Sequence, residues 1–263
     1  MSGNAVKDAL AQDEAVIGTM LGEMLSPGTC RIVREAGYDF VIFDTEHHWP
    51  GLETVAWLIR AAREIGLTVI IRAPASRGQW PARYLDLGAD GLVFPHVETA
   101  EQARDIVSQV KFPPDGKRGL GTNIGHDDYA AKPAGEFTRS RNAETLVAVQ
   151  IETALGLENR QSILSVEGID AVFIGPNDLS LSMGLPGQLD SPQVVEAIED
   201  IFASAQAAGV APGMHAFSVE MAQKYLDAGC RFLCFASEVA LFVRGSQEAL
   251  GELREHPAVG GVR

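Results

Sequence analysis

Two periodicities alternate along the chain. Four segments, AGYDFVIFD (36–44), LGADGLVFP (87–95), EGIDAVFIG (167–175) and AGCRFLCFA (228–236), share a Gly, one or two spacer residues and four or five mostly apolar positions. Each reads as the close of a helix, where Gly takes the cap, followed by a parallel strand buried on both faces. EIGLTVIIR (64–72) and AAGVAPGMH (207–215) are weaker copies, and AVIGTML (15–21) and LVAVQIET (146–153) are strand-like runs without the preceding Gly. Between them GLETVAWLIRAAREI, TAEQARDIVSQV, PQVVEAIEDIFASAQAA and SVEMAQKYLDA carry apolar residues at spacings of three and four, which predicts helices with one buried face. Eight strand-then-helix units predict an α/β fold, a (β/α)₈ TIM barrel in a single domain over residues 1–263. Residues 1–14 read as a polar N-terminal extension. Residues 111–145 lack clear periodicity and are expected near the active-site face or at a subunit contact.

Composition narrows the function classes. A length of 263 residues suits one such barrel. The net charge of −14 argues against nucleic acid or an anionic membrane surface as partner, and an anionic small substrate would need a local positive centre. No apolar stretch resembles a secretory signal or a membrane span, so a cytoplasmic protein is expected. Cys30, Cys230 and Cys234 form no C-x-x-C pair and read as buried packing thiols.

Barrel enzymes carry their chemistry at the C-terminal ends of the strands. There the chain places Asp44, Glu46 and His47 after the second apolar run and Arg72 after the third. Gln150 and Glu152 follow the fifth, Gly175, Pro176, Asn177 and Asp178 the sixth, and His215 the seventh. Glu152 and Asp178 are candidates for a hard divalent ion completed by water and substrate oxygens. Each is also a plausible helix cap, and the residues alone leave both readings open. Arg72 reads equally as a strand-end cation and His47 as a loop histidine, yet together these groups are the parts for enolate chemistry. Lysine is missing from the predicted strand ends, which leaves a Schiff-base route without its nucleophile; Lys117 and Lys132 belong to the long irregular segment.

The motifs FDTEH (43–47), IIRAP (70–74), YLDLGADGLVFPHV (84–97), FPPDGKRGLG (112–121), VQIET (149–153) and GIDAVFIGPNDLS (168–180) resemble, in this order, those of the HpcH/HpaI aldolases. These are metal-dependent class II pyruvate aldolases, and the resemblance runs from about residue 15 to residue 250. It implies that Glu152 and Asp178 bind the metal, Mg²⁺ or Mn²⁺ with Co²⁺ as a further candidate. It implies that Arg72 contacts the keto oxygen of pyruvate and that His47 lies beside the water that carries the proton. Amides near Gly175, Asn177 and Asp178 would hold the carboxylate, with Gln150 in the outer shell of the metal. Asp86 matches an acid associated with the catalytic histidine, but YLD places it at a helix C-terminus, at the opposite end of its own barrel. It is therefore either structural or part of a neighbouring subunit's site. The latter is favoured, because the resemblance implies a dimer-based homo-oligomer, up to a hexamer, and EVALFVRGSQEAL (238–250) offers an apolar surface for a partner.

The resemblance implies that Leu120 and His215 line the aldehyde pocket, while Trp49 either lines it or covers its loop. Thr45, His48, Trp49 and His215 depart from the smaller or more apolar residues usual in the family, which leaves the pyruvate half unchanged and alters the aldehyde half. The expected reaction joins pyruvate, or a related 2-oxo acid, to an aldehyde or cleaves the 4-hydroxy-2-oxo acid product. A lyase for malyl- or citryl-CoA-type thioesters, a decarboxylase using the same enolate, and a non-enzymatic binding barrel are the alternatives.

Overall fold

A computed structural model describes residues 3–75, 78–130, 132–256 and 258. The expected barrel is present. In chain order the elements are α1 (Ala5–Ala11), β1 (Val16–Leu21), α2 (Pro27–Glu35), β2 (Phe40–Asp44), α3 (Leu52–Glu64), β3 (Thr68–Arg72), α4 (Trp80–Asp86), β4 (Gly91–Phe94) and α5 (Ala100–Val110). A short 3₁₀ turn (Gly125–Asp127) precedes α6 (Ala134–Glu144), β5 (Leu146–Gln150), α7 (Ala154–Glu158), α8 (Arg160–Leu164), β6 (Ala171–Phe173) and α9 (Pro176–Ser182). The chain ends with α10 (Pro192–Ala207), β7 (Gly213–Ala216), α11 (Val219–Asp227), β8 (Phe232–Ser237) and α12 (Glu238–Arg254).

The strands are parallel in the order β6-β5-β4-β3-β2-β1-β8-β7. Single bridges at Ala171 to Ala211 and Ile174 to Met214 close β6 onto β7. Side-chain alternation then divides each strand between two cores. Met20, Phe40, Ile42, Ile70, Val93, Ala148, Phe173, Phe232 and Cys234 fill the barrel interior. Phe40 stacks on Phe232 at 4.7 Å between ring centres, in the room left by Gly18. Outward residues such as Val41, Val69, Leu92, Val147 and Val172 join the helices in a second cluster. Continuing the inward phase by one step brings Asp44, Arg72, Gln150 and His215 to the mouth, so the register that packs the core also selects the rim.

One sequence expectation needs correction and a second is narrowed. Residues 1–14 include α1, whose Val6 and Leu10 are buried in the interior cluster beneath the strands. Asn4 fixes the helix by donating to the carbonyls of Asp90 and Glu144, and Lys7 donates to Thr145 and Asp170. Only two apolar residues face inward, too few for a visible period in a short helix. The stretch after α5 does not approach the mouth of its own barrel, which leaves the subunit contact of its two expected placements. It folds against the C-terminal end of α4, with Gly125 so close to the Leu87 carbonyl that a Cβ would lie 2.5 Å away.

Helix α12 differs from the other long helices. Glu238 is its single buried residue, while Val239, Phe242, Val243, Leu250 and Leu253 are exposed. Ile17 of β1 is also exposed, and Phe235 of β8 is half-buried, so the outer face where these strands meet is incompletely covered. Among the described residues no helix is long and apolar enough to cross a membrane.

Candidate active site

A buried ion pair anchors the mouth. Arg72 donates from Nε to Asp44 Oδ1 at 2.8 Å and from Nη2 to Oδ2 at 2.7 Å, while its Nη1 lies 3.2 Å from Glu46 Oε2. Adjacent strand ends produce this pairing directly, since Asp44 and Arg72 are register partners of β2 and β3. Although burial opposes ionisation of Asp44, the guanidinium, His48 and the Glu46 amide hold its carboxyl down at about 2. The pair therefore presents a fixed guanidinium edge at the mouth.

Glu46, His96 and Glu152 form the group able to hold a cation, with one ligand atom from each within 4.8 Å of the others. His96 lies 3.3 Å from Glu46 Oε1 through Nε2 and 3.3 Å from Glu152 Oε1 through Nδ1. Its own amide donates to Glu152 Oε1 at 2.9 Å. A left-handed backbone, φ 54°, turns His96 into this position and is uncommon for a side chain of its size. Glu152 is 1% exposed and takes a hydrogen bond from Gln150 Nε2. Burial pushes its carboxyl up to about 7, reinforced by the nearby Glu46 charge against the opposing hydrogen bonds. Glu46 is raised for the same reason, burial outweighing the attraction of Arg72. Among the described residues Gln150 Oε1 is buried without a hydrogen-bond partner, and Glu46 Oε2 has its ion pair with Arg72 but no hydrogen bond. Buried carboxylates that resist ionisation, beside an unsatisfied oxygen, are what a hard divalent cation would neutralise and coordinate. The donor set fits such an ion.

The expected residues fall into three places. Glu152, Gln150 and Arg72 meet at the mouth as described. Gly175 lies against them, since a Cβ there would be 2.5 Å from Glu152 Oε2, and it caps α9, whose first turn holds Asn177 and Asp178. His47 is on the loop after β2 with its side chain more than half exposed, 4.0 Å from Glu46 Oε2. Trp49 is 90% exposed on the same loop. His215 lies on the inward phase of β7, its Nε2 donating to the Ala236 carbonyl at 3.1 Å, and burial pushes its pKa down to about 4.

Asp86 and Leu120 occupy the other end of the barrel. Asp86 closes α4, accepting from Arg118 Nη2 at 2.7 Å with His126 Nδ1 at 3.5 Å. Leu120 is exposed in the same loop, next to Gly121, whose carbonyl bonds His126 Nε2. Neither residue reaches the mouth of its own barrel, which corrects the expectation for Leu120 within one chain. Sequence reasoning gave Glu46 no role and did not single out His96 or Glu238. Glu238 Oε1 accepts the amides of Gly22, Glu23 and Met24 at 2.8, 2.6 and 3.0 Å, fixing the loop after β1.

The family model described as HpcH/HpaI aldolase/citrate lyase matches residues 24–245. The chain is 34% identical over 258 residues to a hydroxypyruvate/pyruvate aldolase of Cupriavidus necator, covering 98% of this chain and 95% of that protein. It is 34% identical over 244 residues to a 4-hydroxy-2-oxo-heptane-1,7-dioate aldolase of Salmonella arizonae, covering 93% and 92%. The crystal structure of an HpcH/HpaI aldolase from Desulfitobacterium hafniense superposes with a TM-score of 0.93 at 32% identity, over 97% of this chain and 98% of that one. With most of the chain matched, and with the barrel and the acidic mouth in place, the protein belongs to the HpcH/HpaI aldolase/citrate lyase family.

Proposed function

We propose that this chain is a divalent-metal-dependent carbon–carbon lyase that makes or cleaves 4-hydroxy-2-oxo acids through the enolate of pyruvate or a related 2-oxo acid. The observation that carries this reading is the buried Glu152 carboxyl, raised to about 7, grouped with Glu46 and His96 beside the Arg72 guanidinium. The aldolase names of relatives at 34% identity support it. Glu152 and Asp178 are the proposed metal ligands, and Glu46 and His96 stand close enough to add donors or to bind the coordinating waters. Mg²⁺ or Mn²⁺ suits these oxygen-rich donors, with Co²⁺ a third candidate. Bound there, a divalent ion supplies Lewis-acid stabilisation of negative charge on the keto oxygen.

The chain's own groups perform the remaining tasks. Arg72, held by Asp44, donates to the same keto oxygen as charge develops on it. Amides of Gly175, Asn177 and Asp178 hold the carboxylate, and Gln150 orients Glu152 by donating to it. His47 accepts a methyl proton through one water, and the resulting enolate carbon attacks the aldehyde. His215 and Trp49 border the aldehyde half. A homo-oligomer, dimer-based and up to a hexamer, is part of the proposal. Its support is the apolar face of α12 beside the incompletely covered β1–β8 surface, which a second copy of α12 would fill. In that assembly Asp86 and Leu120 would serve a neighbour's mouth. A single catalytic domain in the cytoplasm completes the reading, supported by three buried unpaired thiols.

Incubation of the metal-loaded protein with pyruvate in D₂O tests the core of this reading. Deuteration of the methyl group that stops in EDTA is the expected result. Absence of exchange at any divalent metal would overturn it.

A further inference from the structure

His48 is not among the groups that handle the 2-oxo acid, yet it is built into the mouth. Its Nδ1 lies 2.7 Å from Asp44 Oδ2, the oxygen that also accepts from Arg72. The ring rests on Gly22, two residues past the inward-facing Met20, and a Cβ at Gly22 would stand 2.5 Å from three ring atoms. The loop carrying Gly22 is fixed in turn by Glu238, and Glu23 Oε1 is 3.8 Å from His48 Nε2. Ordering this ring therefore uses an inward carboxylate, a glycine and a triply anchored loop.

The direction of the ring has a chemical consequence. Both Asp44 oxygens already accept from the Arg72 guanidinium, so the carboxylate is the acceptor from His48 as well, and the tautomer that makes the bond carries its hydrogen on Nδ1. In the neutral ring Nε2 is then a hydrogen-bond acceptor at the partly exposed edge. His215 repeats the arrangement from β7. Its Nε2–H is committed to the Ala236 carbonyl, burial keeps the ring neutral, and Nδ1 is left as an acceptor.

Barrel order places these two imidazoles across the mouth from Glu152. Glu152 follows β5, opposite β1 in an eight-stranded ring, whereas His48 overhangs β1 and His215 ends β7, on either side of β8. In the proposed reaction, a 2-oxo acid held between Glu152 and Arg72 would turn its enolate carbon toward the half that carries His48 and His215. We infer that His48 is a specificity-determining residue that accepts a hydrogen bond from a hydroxyl group on the aldehyde, selecting α-hydroxyaldehydes over their deoxy counterparts. This inference rests on the aldolase reading above.

The test compares glycolaldehyde with acetaldehyde as acceptors for pyruvate in the metal-loaded enzyme, after methyl deuteration of pyruvate has been measured. One hydrogen bond predicts a preference for glycolaldehyde of about tenfold in kcat/KM. His48→Asn keeps an N–H for Asp44 while removing the outer nitrogen, and Gly22→Ala leaves the imidazole but displaces it. Both are expected to bring the ratio to about one, mainly through a higher KM for glycolaldehyde. Wild-type enzyme that exchanges the methyl protons but shows no hydroxyl preference overturns the inference alone, as does a preference that survives His48→Asn. Wild-type enzyme without exchange overturns the aldolase reading and this inference with it.

Discussion

Replacing Glu152 by glutamine separates the role of its charge from the role of its shape. The carboxyl is 1% exposed and its pKa is raised from an ordinary 4.5 to about 7. Below pH 4.5 both folded and unfolded chains carry the proton, and the group is neutral for stability. Between 4.5 and 7 the folded protein keeps a proton that the unfolded chain has lost, so the metal-free protein loses stability as pH rises. Above pH 7 the destabilisation is complete, at about 3 kcal/mol from 1.36 kcal/mol per pH unit. At ~2.1 cal/mol/K per residue, a chain of 263 residues converts this to about 5 °C in Tm. In Glu152→Gln the charge is gone, the side-chain oxygen still accepts from the His96 amide, and the new amide can donate to the unpartnered Gln150 Oε1. In EDTA at pH 8 the variant is therefore expected to melt about 5 °C above the wild type, with the difference vanishing near pH 4. Mn²⁺ at 100 times the wild-type Kd should narrow the gap by at least about 1.3 kcal/mol, since it adds about 2.7 kcal/mol to the wild type and no more than about 1.4 to a variant whose binding is weakened at least about tenfold by loss of a charged donor. Wild-type affinity should also improve by about tenfold per pH unit up to 7, as the ion competes with one proton. Calorimetric melts across pH, with and without metal, provide the assay. A metal-free variant no more stable than the wild type at pH 8, or equal stabilisation of both by Mn²⁺, would refute the reasoning.

Two further outcomes follow from the same geometry. Arg72→Lys should lower kcat by about 10²–10³, because one ammonium cannot engage Asp44 through two parallel bonds and still reach the keto oxygen; steady-state kinetics with unchanged kcat would remove Arg72 from the mechanism. Asp86→Asn and His47→Ala should each be nearly inactive, and co-expressed mixed oligomers should regain activity where intact residues from two chains meet; mixtures confirmed by mass spectrometry that stay inactive would make Asp86 purely structural.

The parts of the fold legible in the sequence are those in which neighbouring residues share one environment. Strands buried on both faces must be apolar throughout, so FVIF before Asp44 or TVII before Arg72 announces both a strand and the position where it reaches the rim. Arg72, Glu152 and Gln150 could be placed at the mouth on that basis alone. Grouping is a different matter, because it depends on contacts between distant residues. Glu238 meets the amides of Gly22 to Met24 across 214 to 216 positions, and nothing local in SEVAL distinguishes it from any first-turn glutamate. His96 follows an apolar strand as many loop residues do, and its left-handed backbone, which brings both ring nitrogens between Glu46 and Glu152, leaves no trace in FPHVE. Residues 111–145, expected near the active-site face or at a subunit contact, turn away from the mouth of their own barrel, and their polar, Gly-rich composition fits either end of a barrel. The buried Arg118, bonded to Asp86 and packed 4.5 Å over the Phe112 ring, decides which end they cover.

Two glycines at the mouth join the packing of the barrel to its chemistry. Gly22 and Gly175 stand near the ends of β1 and β6, and neither has the left-handed backbone that usually explains a glycine. What each provides is room. A methyl group at 22 would strike the His48 ring, and one at 175 would strike Glu152 Oε2 at 2.5 Å and Gln150 Nε2 at 2.9 Å. Lower in the barrel the same device serves packing alone, where Gly18 makes space for Phe40 and the phenyl ring fills it. At the mouth the space is filled by ionisable groups, which gain proximity to one another at the expense of solvation. Desolvation raises the carboxyls of Glu152 and Glu46 and lowers His215, and these are groups of the proposed site. An inward position that is large and apolar in a lower layer thus becomes, one step up the strand, either a charged side chain or the gap that lets one approach. This rule places the proposed ion on the β5–β6 side and the hydroxyl-reading imidazoles on the β7–β1 side of a single mouth.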